Sequence, residues 1–360
     1  MMKKNKKILY AASTASHLQR FHMPYIEALR AENEVFLMAT GEGVDFPITF
    51  DKHYFSFANF RSLLAIRKIL KREQFDLLIL NTTLTAFWVR AALWGMRKRP
   101  YVLNVVHGYL FPFEGGGLRK KILLLCEKLM RRKTDAIAVM NDEDLKTATQ
   151  NRLCKGEVYF TYGMGLPNEY AGKALRNAGE RYASDGCFVC TFVGELSKRK
   201  NQKLLIQATD VLKRRGIPMR LLLVGEGSER EALQEEIARL SLENDVFLLG
   251  HSDEVPSILA ATDLYLSASE SEGLPFNLME AMSLGLPILA SDVRGQHDLL
   301  LQKPEMLYPA GDLDALCEAV ASIYNGGKKG SGSCEYPELE QYKLRAVFED
   351  NMKILTMGLE

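Results

Sequence analysis

The sequence lacks long hydrophobic runs, a cysteine framework and any real excess of charge. Its 360 residues contain no apolar run near the roughly 18 residues that a spanning helix needs, so we expect no transmembrane segment. The apolar stretch after the N-terminal lysines ends at Ser13 and Thr14, too early for the core of a signal peptide. A 47% hydrophobic, 25% charged composition excludes a disordered chain and indicates a globular protein.

Cysteine is scarce and scattered. The six residues include one close pair, Cys187 and Cys190, within a strand-like apolar run. Side chains three apart on a strand point to opposite faces, and no second pair of metal ligands lies nearby in the sequence. We therefore predict buried, reduced core cysteines, which are typical of a cytosolic protein, rather than a structural zinc site.

The formal net charge of +1 hides an asymmetry. Up to residue 165 there are 26 Lys and Arg against 15 Asp and Glu, a net of +11, whereas the remainder has 20 against 30, a net of −10. Opposite charge in two halves indicates two different partners. The length also favours two domains of ordinary size over a single core.

Short apolar runs alternate with helical stretches, and the series occurs twice. The predicted strands are 7–11, 34–38, 76–81, 101–106 and 135–140, followed by 187–193, 219–224, 245–249, 263–267 and 287–290. Continuous apolar strands between helices indicate parallel sheets buried on both faces, hence two α/β units with a cleft between them. Because ligands bind at the carboxyl ends of parallel strands, we expect the functional residues in the loops that follow these strands.

The most informative stretch is 263–291. A predicted strand ends near Ser267, a loop holds Glu272 and Gly273, and a helix starts near Pro275. Glycine lets the backbone approach a ligand, and the N–H groups at a helix start attract anions. Glu280, eight residues after Glu272, lies inside the helix and is able to point toward the same loop.

This stretch carries a family resemblance. Glu272-x7-Glu280, followed by Ala-Met-x-x-Gly-x-Pro, resembles the signature of glycosyltransferase family 4, retaining enzymes of the GT-B fold. Residues 192–201, 223–227 and 246–250 resemble, in order, the family's phosphate-binding turn, its turn near the base and the strand before the base contact. The resemblance implies two Rossmann-like domains, 1–168 and 169–336, with sheets facing across a cleft. It also implies that a C-terminal helix within 337–360 packs back on the first domain.

The resemblance implies specific donor contacts. Lys200, helped by Arg199, neutralises the donor diphosphate, Glu272 holds hydroxyls of the transferred sugar, and Glu280 accepts hydrogen bonds from the ribose. The other implied donor-binding residues are Gly225, Val246, Gly273, Leu274, Pro275 and Phe276. One position departs from the family pattern, because Glu195 stands where Arg is common. A carboxylate there repels phosphate unless it turns away or Arg199 supplies the missing charge.

Histidines mark the loops of the first half. His107 follows the strand ending at Val106, and the resemblance implies that it contacts the donor sugar or stabilises charge near the reacting carbon. We therefore predict His107, Glu272 and Lys200 as the catalytic residues. The loop after the first strand lacks the family's glycines but resembles an exopolysaccharide and capsule subgroup. The predicted acceptor-binding residues are His17, Arg20, His22, Gly108 and Tyr109, with a packing or capping role open for His17 and His22.

Two cationic stretches, 60–72 and 118–133, combine apolar and basic residues at helical spacing; the second holds seven Lys and Arg and one Glu. Each is either a core-packed helix with a solvated basic side or a helix that docks on an anionic membrane surface. No nucleic-acid motif is present. Asp142, Glu143 and Asp144 follow a predicted strand, and we interpret them as a helix start after Asn141 rather than a metal site.

Taken with the resemblance, these features predict a metal-independent retaining hexosyl- or N-acetylhexosaminyltransferase. The implied donor is a UDP-sugar, and the implied acceptor is a hydroxyl of a lipid-linked saccharide in surface polysaccharide biosynthesis. The expected location is the cytoplasm, peripherally attached to the inner face of the cell membrane. Two alternatives stay open: a nucleotide-sugar epimerase of the same fold, and a non-catalytic donor-binding partner subunit, which Glu195 and the glycine-poor first loop favour.

Overall fold

The computed structural model describes residues 5–51, 56–109, 117–170, 172, 186–326 and 334–359. The chain divides into two compact units, residues 1–165 with 344–360, and residues 166–343. The sequence places these boundaries at 168 and 336 instead. Leu166 pairs with Lys343 in a parallel bridge and donates its N–H to the Tyr342 carbonyl at 2.8 Å. Leu166, Leu339 and Tyr342 also pack in a core cluster of the second unit, and this packing accounts for the difference at both ends.

The first unit is built on a seven-stranded parallel sheet with the order β3-β2-β1-β4-β5-β6-β7. Its strands are β1 Lys7–Thr14, β2 Glu34–Thr40, β3 Phe46–Pro47, β4 Leu77–Asn81, β5 Tyr101–Val106, β6 Ala136–Val139 and β7 Val158–Phe160. Its helices in chain order are α1 Ala15–Phe21, α2 Met23–Arg30, α3 Phe57–Glu73, α4 Thr83–Ala92, α5 Gly117–Met130 and α6 Asp142–Gln150. The central strand β4 is buried along its whole length, as its unbroken apolar sequence predicts.

The second unit has a six-stranded parallel sheet with the order β10-β9-β8-β11-β12-β13. Its strands are β8 Phe188–Val193, β9 Met219–Val224, β10 Val246–Gly250, β11 Leu264–Ser267, β12 Ile288–Ser291 and β13 Leu307–Tyr308. Its helices are α7 Gln202–Arg214, α8 Arg230–Leu240, α9 Val255–Ala260, α10 Phe276–Ser283, α11 Gln296–Leu299 and α12 Leu313–Gly326.

The two strand orders confirm the predicted Rossmann-like α/β architecture. In each unit the order reverses beside the first strand, between β1 and β4 in the first unit and between β8 and β11 in the second. Ligands of open parallel sheets bind beyond the carboxyl ends of strands at such a reversal. All ten predicted strands are present. The structure adds β3, β7 and β13, which are two or three residues long and lie at the ends of the strand orders.

The predicted C-terminal helix is interrupted. A 3-10 turn over Pro337–Tyr342 ends at Lys343, whose backbone is extended, and α13 Leu344–Thr356 then belongs to the first unit. Asn351 of α13 anchors it there. The Asn351 amide nitrogen donates to the Tyr25 hydroxyl and the Gly163 carbonyl, each at 2.8 Å, and its amide oxygen accepts from the Thr161 hydroxyl.

The two cationic stretches form α3 and α5. Each helix has buried apolar side chains and also large apolar side chains that are exposed. Leu123 and Met130 of α5 are buried, while Ile122, Leu125 and Leu129 are about half exposed. Helix α5 is therefore packed in the core on one face, as the first alternative has it, and leaves a second apolar face exposed. The Leu118 side chain lies outside the described residues. Helix α3 buries Ile66 and Leu70 and likewise leaves large apolar side chains exposed, namely Phe57, Phe60 and Leu64.

Within the described ranges, none of the helices has the length and apolarity that crossing a membrane requires. All six cysteines are free thiols. Cys190 is fully buried inside β8, where burial raises the pKa of its thiol, while Cys187 precedes the strand and is partly exposed. The two side chains of the close pair thus share no site, as their spacing predicts.

Candidate functional site

A buried ion cluster lies at the order reversal of the second unit. After β8 the chain makes a 3-10 turn, Lys198–Lys200, and after β11 it passes through Glu272. Lys200 and Glu272 are only 7% and 6% exposed. The Lys200 ammonium bonds to one carboxylate oxygen of Glu272, and Arg199 Nη1 lies 3.1 Å from the other. The structure thus brings Glu272 to Lys200 and Arg199, two predicted donor residues about 70 positions earlier in the sequence.

Two cations share one carboxylate, so the cluster has a surplus of positive charge. Burial acts to raise the pKa of Glu272, but the charges of Lys200 and Arg199 outweigh it and hold that pKa below its usual value. Glu272 is therefore ionised at neutral pH. A site of net positive charge at the end of parallel strands is suited to an anion such as a diphosphate.

The loop carrying Glu272 is held by backbone contacts. Arg199 Nη1 donates to the Ser271 carbonyl at 2.6 Å, and Glu270 N donates to the Arg199 carbonyl at 2.8 Å. Arg294, which follows β12, donates from Nε to the Glu272 carbonyl at 2.8 Å. Sequence reasoning did not single out Arg294, because no motif marks it and its partner becomes visible only when β12 is placed in the sheet.

Two glycines allow close approach around this loop. At Gly295, with φ +78°, a Cβ atom would lie 2.5 Å from the Gly273 carbonyl oxygen. At Gly225, with φ +140°, it would lie 2.0 Å from the Gly194 carbonyl oxygen. The predicted donor residue Gly225 is therefore required where the ends of β8 and β9 meet.

Helix α10 begins at Phe276 with Pro275 as its N-cap. Glu280 is buried inside this helix. Burial raises the pKa of Tyr265 strongly, and the charges of Glu280 and Glu272 raise it further, so both carboxylates act on the same buried phenol. Of the remaining predicted donor residues, Leu274 and Phe276 are partly buried against the core.

Two predicted features lie elsewhere. Val246 begins β10, at the amino end of the strand, and is packed in the core, so the structure does not bring it to the cluster. The Glu195 side chain is exposed, while its carbonyl accepts from the Gln202 amide at 2.8 Å. Arg199, rather than residue 195, supplies the positive charge beside Lys200.

The first unit has a second cluster, made of three histidines. His17 lies in α1, His22 separates α1 from α2, and His107 follows β5. The ring centroids are 4.7 Å apart for His17 and His107, 5.1 Å for His17 and His22, and 5.2 Å for His22 and His107. The structure thus brings together three predicted residues from two separate loops.

Burial keeps these imidazoles neutral. It lowers the pKa of His17 to about 4 and lowers the pKa of His22 and His107 well below the usual value. Repulsion from neighbouring histidines lowers the last two further. At neutral pH this cluster offers nitrogen lone pairs and N–H donors without positive charge, unlike the cluster of the second unit.

The other predicted acceptor residues differ in accessibility. Arg20 is exposed, with its guanidinium 5.4 Å from the Phe21 ring centroid. Gly108 makes the turn after β5 at φ +127°. The Tyr109 ring is 1% exposed and packs in the core of the first unit, which removes it from the surface that an acceptor would reach.

The acidic run 142–144 opens α6, as predicted. The Asn141 side chain accepts from the Asp144 N–H at 2.8 Å and so caps the helix. The Asp144 carboxylate accepts from Asn141 Nδ2 at 2.8 Å and from the Tyr109 N–H at 3.3 Å. These contacts account for Asp144 by local structure alone.

A hydroxyl cluster at the reversal of the first unit was missed from the sequence. Ser13 Oγ lies 2.6 Å from Thr82 Oγ1 and 3.0 Å from Thr85 Oγ1. Thr82 has φ +65°, a region that β-branched residues rarely adopt. Strained backbone of this kind is concentrated at functional sites. The only sequence signal is the run Asn81-Thr82-Thr83 at a strand end.

Comparison with known proteins gives a consistent assignment for part of the chain. Residues 180–333 match the family model described as glycosyl transferases group 1. A Bacillus subtilis (strain 168) protein assigned as the glycosyltransferase EpsD is 26% identical over 335 residues, covering 89% of this chain and 88% of the relative. An Escherichia coli UDP-Gal:alpha-D-GlcNAc-diphosphoundecaprenol alpha-1,3-galactosyltransferase is 25% identical over 277 residues, covering 73% and 70%.

Solved structures agree on the fold. Anabaena Alr3699/HepE, crystallised in complex with UDP and glucose, superposes with a TM-score of 0.77 at 17% identity, covering 98% of this chain and all of the other. At such low identity the likeness concerns the fold, which is the GT-B fold that the sequence predicts. The segment that matches the family model contains Lys200, Arg199, Glu272 and Glu280.

Proposed function

We propose that this protein is a retaining, family 4 glycosyltransferase. It transfers a hexosyl or N-acetylhexosaminyl group from a UDP-sugar to a hydroxyl of a lipid-linked saccharide in exopolysaccharide or capsule biosynthesis. The observation that carries the proposal is the buried cluster of Lys200, Arg199 and Glu272 at the strand-order reversal of the second unit. The match of residues 180–333 to the glycosyl transferase model supports the same assignment.

The surplus charge of the cluster explains donor binding. In the free protein Glu272 is the counter-ion of both cations. When a diphosphate binds Lys200 and Arg199, the carboxylate is released to accept hydrogen bonds from sugar hydroxyls, since a carboxylate suits diol donors. The start of α10 near Gly273 to Phe276 adds the favourable end of a helix dipole. Glu280 accepts from the ribose hydroxyls.

The proposed reaction is a front-face displacement. The bond between the anomeric carbon and the diphosphate oxygen breaks, and the acceptor oxygen bonds to that carbon on the same face. The acceptor proton passes to a phosphate oxygen of the departing diphosphate. Lys200 and Arg199 stabilise the charge that develops on the leaving group, so this scheme needs neither a protein base nor a metal ion.

We assign the acceptor side of the reaction to the first unit, with His17, His22 and Arg20 as its polar groups, and we place His107 at the donor sugar, near the reacting carbon. Neutral imidazoles are able to hydrogen-bond a hydroxyl without attracting the diphosphate away from Lys200. A lipid-linked saccharide is supported by the E. coli relative, whose name specifies a diphosphoundecaprenol-linked acceptor.

Exposed apolar and basic side chains support peripheral attachment to the inner face of the cell membrane. Trp94, 43% exposed, links two helical regions: Arg67 of α3 donates to its carbonyl, and the Lys133 ammonium lies 5.4 Å from its ring centroid. Helices α3 and α5 carry further exposed apolar and basic side chains, namely Phe57, Phe60, Arg61, Leu64, Lys68, Lys120, Lys121, Ile122, Leu125, Lys128 and Leu129. Such a surface favours anionic lipid headgroups.

A transfer assay tests the proposed function. A thermal-shift screen of nucleotide sugars should show one preferred donor, because a ligand at 100 times its Kd stabilises a protein by about 2.7 kcal/mol. With that donor, release of free nucleotide should depend on a lipid-linked saccharide, should persist in EDTA, and should give a product of unchanged anomeric configuration by NMR. Epimerised donor without an acceptor would support the epimerase, and donor binding without turnover would support the partner subunit.

Vesicle sedimentation tests the membrane attachment. Replacing Lys120 and Lys121 with Gln should weaken binding to anionic vesicles by about 2 kcal/mol, since each basic residue contributes about 1 kcal/mol. The matched control replaces Lys203 and Lys213 of α7 with Gln and should change nothing. Binding that persists on neutral vesicles or in high salt would contradict an electrostatic attachment.

A further inference from the structure

The three histidines of the first unit converge in a way that acceptor binding does not require. His17, His22 and His107 each offer one ring nitrogen, and these atoms all lie within 4.8 Å of one another. Among the described residues, this group has the composition and spacing that a metal ion requires. His17 and His107 are partly exposed and His22 is fully buried, which leaves an entry path on one side and a fixed wall on the other.

Two of the nitrogens already have the spacing of metal ligands. The distance between His17 Nε2 and His22 Nε2 is 3.3 Å. Tetrahedral zinc binds histidine nitrogen at about 2.0–2.1 Å, which puts two such ligands about 3.3 Å apart. In the free protein the same two nitrogens are within hydrogen-bond distance, a contact that a bound ion replaces. The third nitrogen lies within 4.8 Å of the other two and so must approach by at most about 1.5 Å, which a partly exposed imidazole is able to do by rotation.

Neighbouring polar groups orient the rings appropriately. His22 Nδ1 lies 2.8 Å from the Tyr10 hydroxyl, so an Nδ1–H that donates to Tyr10 leaves the lone pair on Nε2, the atom facing His17. The Asn81 amide nitrogen donates to the Ala11 carbonyl, which turns the amide oxygen toward His107 Nε2 at 3.4 Å. His107 then carries Nε2–H and keeps its lone pair on Nδ1. Such second partners are usual for histidine that binds a metal ion.

We propose that His17, His22 and His107 bind one divalent transition-metal ion, with zinc as the reference case. Three neutral imidazoles suit zinc, copper and nickel, whereas magnesium and calcium prefer oxygen ligands. Three protein ligands leave one tetrahedral position for water or another small ligand. All three ligands belong to the first unit.

The site has a consequence that rests on the proposed function. Because His107 is one of the three ligands, an ion bound there occupies its lone pair and withholds the imidazole from the sugar. Zinc should therefore lower transfer activity, and EDTA should restore it. A metal bound here thus acts against transfer, in contrast to a metal that activates the donor.

Cobalt provides a direct probe of the site. Titration of the full chain with Co²⁺ should produce the visible absorption of a tetrahedral ion at one equivalent, and Zn²⁺ should displace it. His17→Ala should weaken Co²⁺ and Zn²⁺ binding by at least about 10-fold. Tyr10→Phe should weaken it by about 10- to 100-fold while retaining all three ligands. Mg²⁺ at the same concentration should not compete.

Matched variants separate this site from other ligands. His251→Ala removes an exposed histidine of the second unit, and Cys187→Ala removes the accessible thiol of the close pair; neither should alter Co²⁺ binding. Zinc should raise the Tm of the wild type but not that of His17→Ala. The proposal is overturned by a wild type that binds no Co²⁺ or Zn²⁺, or by binding that Cys187→Ala abolishes. It is also overturned by binding that survives both His17→Ala and Tyr10→Phe.

These readouts need neither donor nor acceptor. Metal binding without any transfer activity would leave the site intact and refute the proposed function. Transfer activity without metal binding would support the proposed function and refute the metal site. If His17→Ala unfolds without metal, Tyr10→Phe and the zinc-dependent rise in Tm of the wild type decide the question.

Discussion

Each unit buries an ion cluster, and the two are built differently. In the first unit Arg90 of α4 and Glu127 of α5 form a two-pronged pair, with nitrogen–oxygen distances of 2.8 and 3.0 Å. Arg90 also donates to the Ala86 carbonyl at 2.8 Å and to the Thr134 hydroxyl at 3.1 Å. In the second unit Glu272 faces both Lys200 and Arg199.

The difference separates a structural pair from the cluster that we propose binds the donor. Arg90 and Glu127 neutralise each other and join two helices. The cluster at Glu272 has one charge too many, and it lies where ligands of parallel sheets bind. A buried charge thus does not by itself indicate a functional site. We take unbalanced charge at the carboxyl ends of parallel strands as the indication instead.

The largest effect on stability should come from breaking the pair of Arg90 and Glu127. Arg90→Met leaves Glu127 buried without its partner and should lower the free energy of unfolding by about 3–5 kcal/mol. Urea unfolding measures it. The double variant Arg90→Met, Glu127→Leu should recover most of the loss, because an apolar pair of similar volume replaces the ions. If the double variant is as unstable as the single one, the pair is not the source of the loss.

The corresponding change in the second unit, Lys200→Met, should have a small effect on stability and a large effect on activity. Lys200→Met leaves Glu272 paired with Arg199, so the loss of stability should be smaller than for Arg90→Met. Transfer activity, measured as kcat/KM, should fall by about 10²–10³-fold, the usual effect of removing one group that stabilises developing charge. Lys198→Met, in the same turn but exposed, should retain activity. Equal activity of the two variants would contradict a role of Lys200.

A milder change should distinguish geometry from charge. Arg199→Lys keeps the positive charge but loses the rigid guanidinium whose Nη1 contacts both the Ser271 carbonyl and Glu272. We expect KM for the nucleotide sugar to rise by about 10-fold, near 1.4 kcal/mol, with a smaller change in kcat. Steady-state kinetics at varied donor concentration measures both. An unchanged KM would mean that charge alone suffices at this position.

The smallest effect concerns pH. The folded-state pKa of Glu272 lies below its usual value, so the ionised form stabilises the fold above about pH 4.5. That contribution should disappear as the pH falls through the lowered pKa, because the unfolded state then binds the proton more readily. Glu272→Gln should therefore show a flatter decline of stability in acid. Identical pH profiles by urea unfolding would show that Glu272 does not titrate as described.

Much of the fold was predictable because buried parallel strands have a simple sequence signature. The runs at residues 8–12 of β1, 77–80 of β4 and 221–224 of β9 are continuous and apolar. In contrast, β3, β7 and β13 have two or three residues each, and pairing rather than local sequence defines them. The break at Lys343 was also missed, since it depends on the bridge to Leu166, which is 177 positions earlier.

The candidate site was predictable as a list of residues but not as a set of contacts. Family resemblance identified Lys200 and Glu272, yet it did not show that they pair with each other in the free protein. Arg294 acts through its side chain on a backbone carbonyl, which no motif records. The pair Arg90 and Glu127 did leave a signal: a single Arg in an apolar helix and a single Glu in a basic one.

Helix α13 has a consequence for biosynthesis. It belongs to the first unit, but the ribosome makes it after the whole of the second unit. At about 5–20 residues per second, the 178 residues of the second unit take roughly 9–36 s to translate. During that time the first unit lacks the hydrogen bonds that Asn351 makes with Tyr25, Thr161 and Gly163. We infer that the second unit completes its fold first, although it is encoded later.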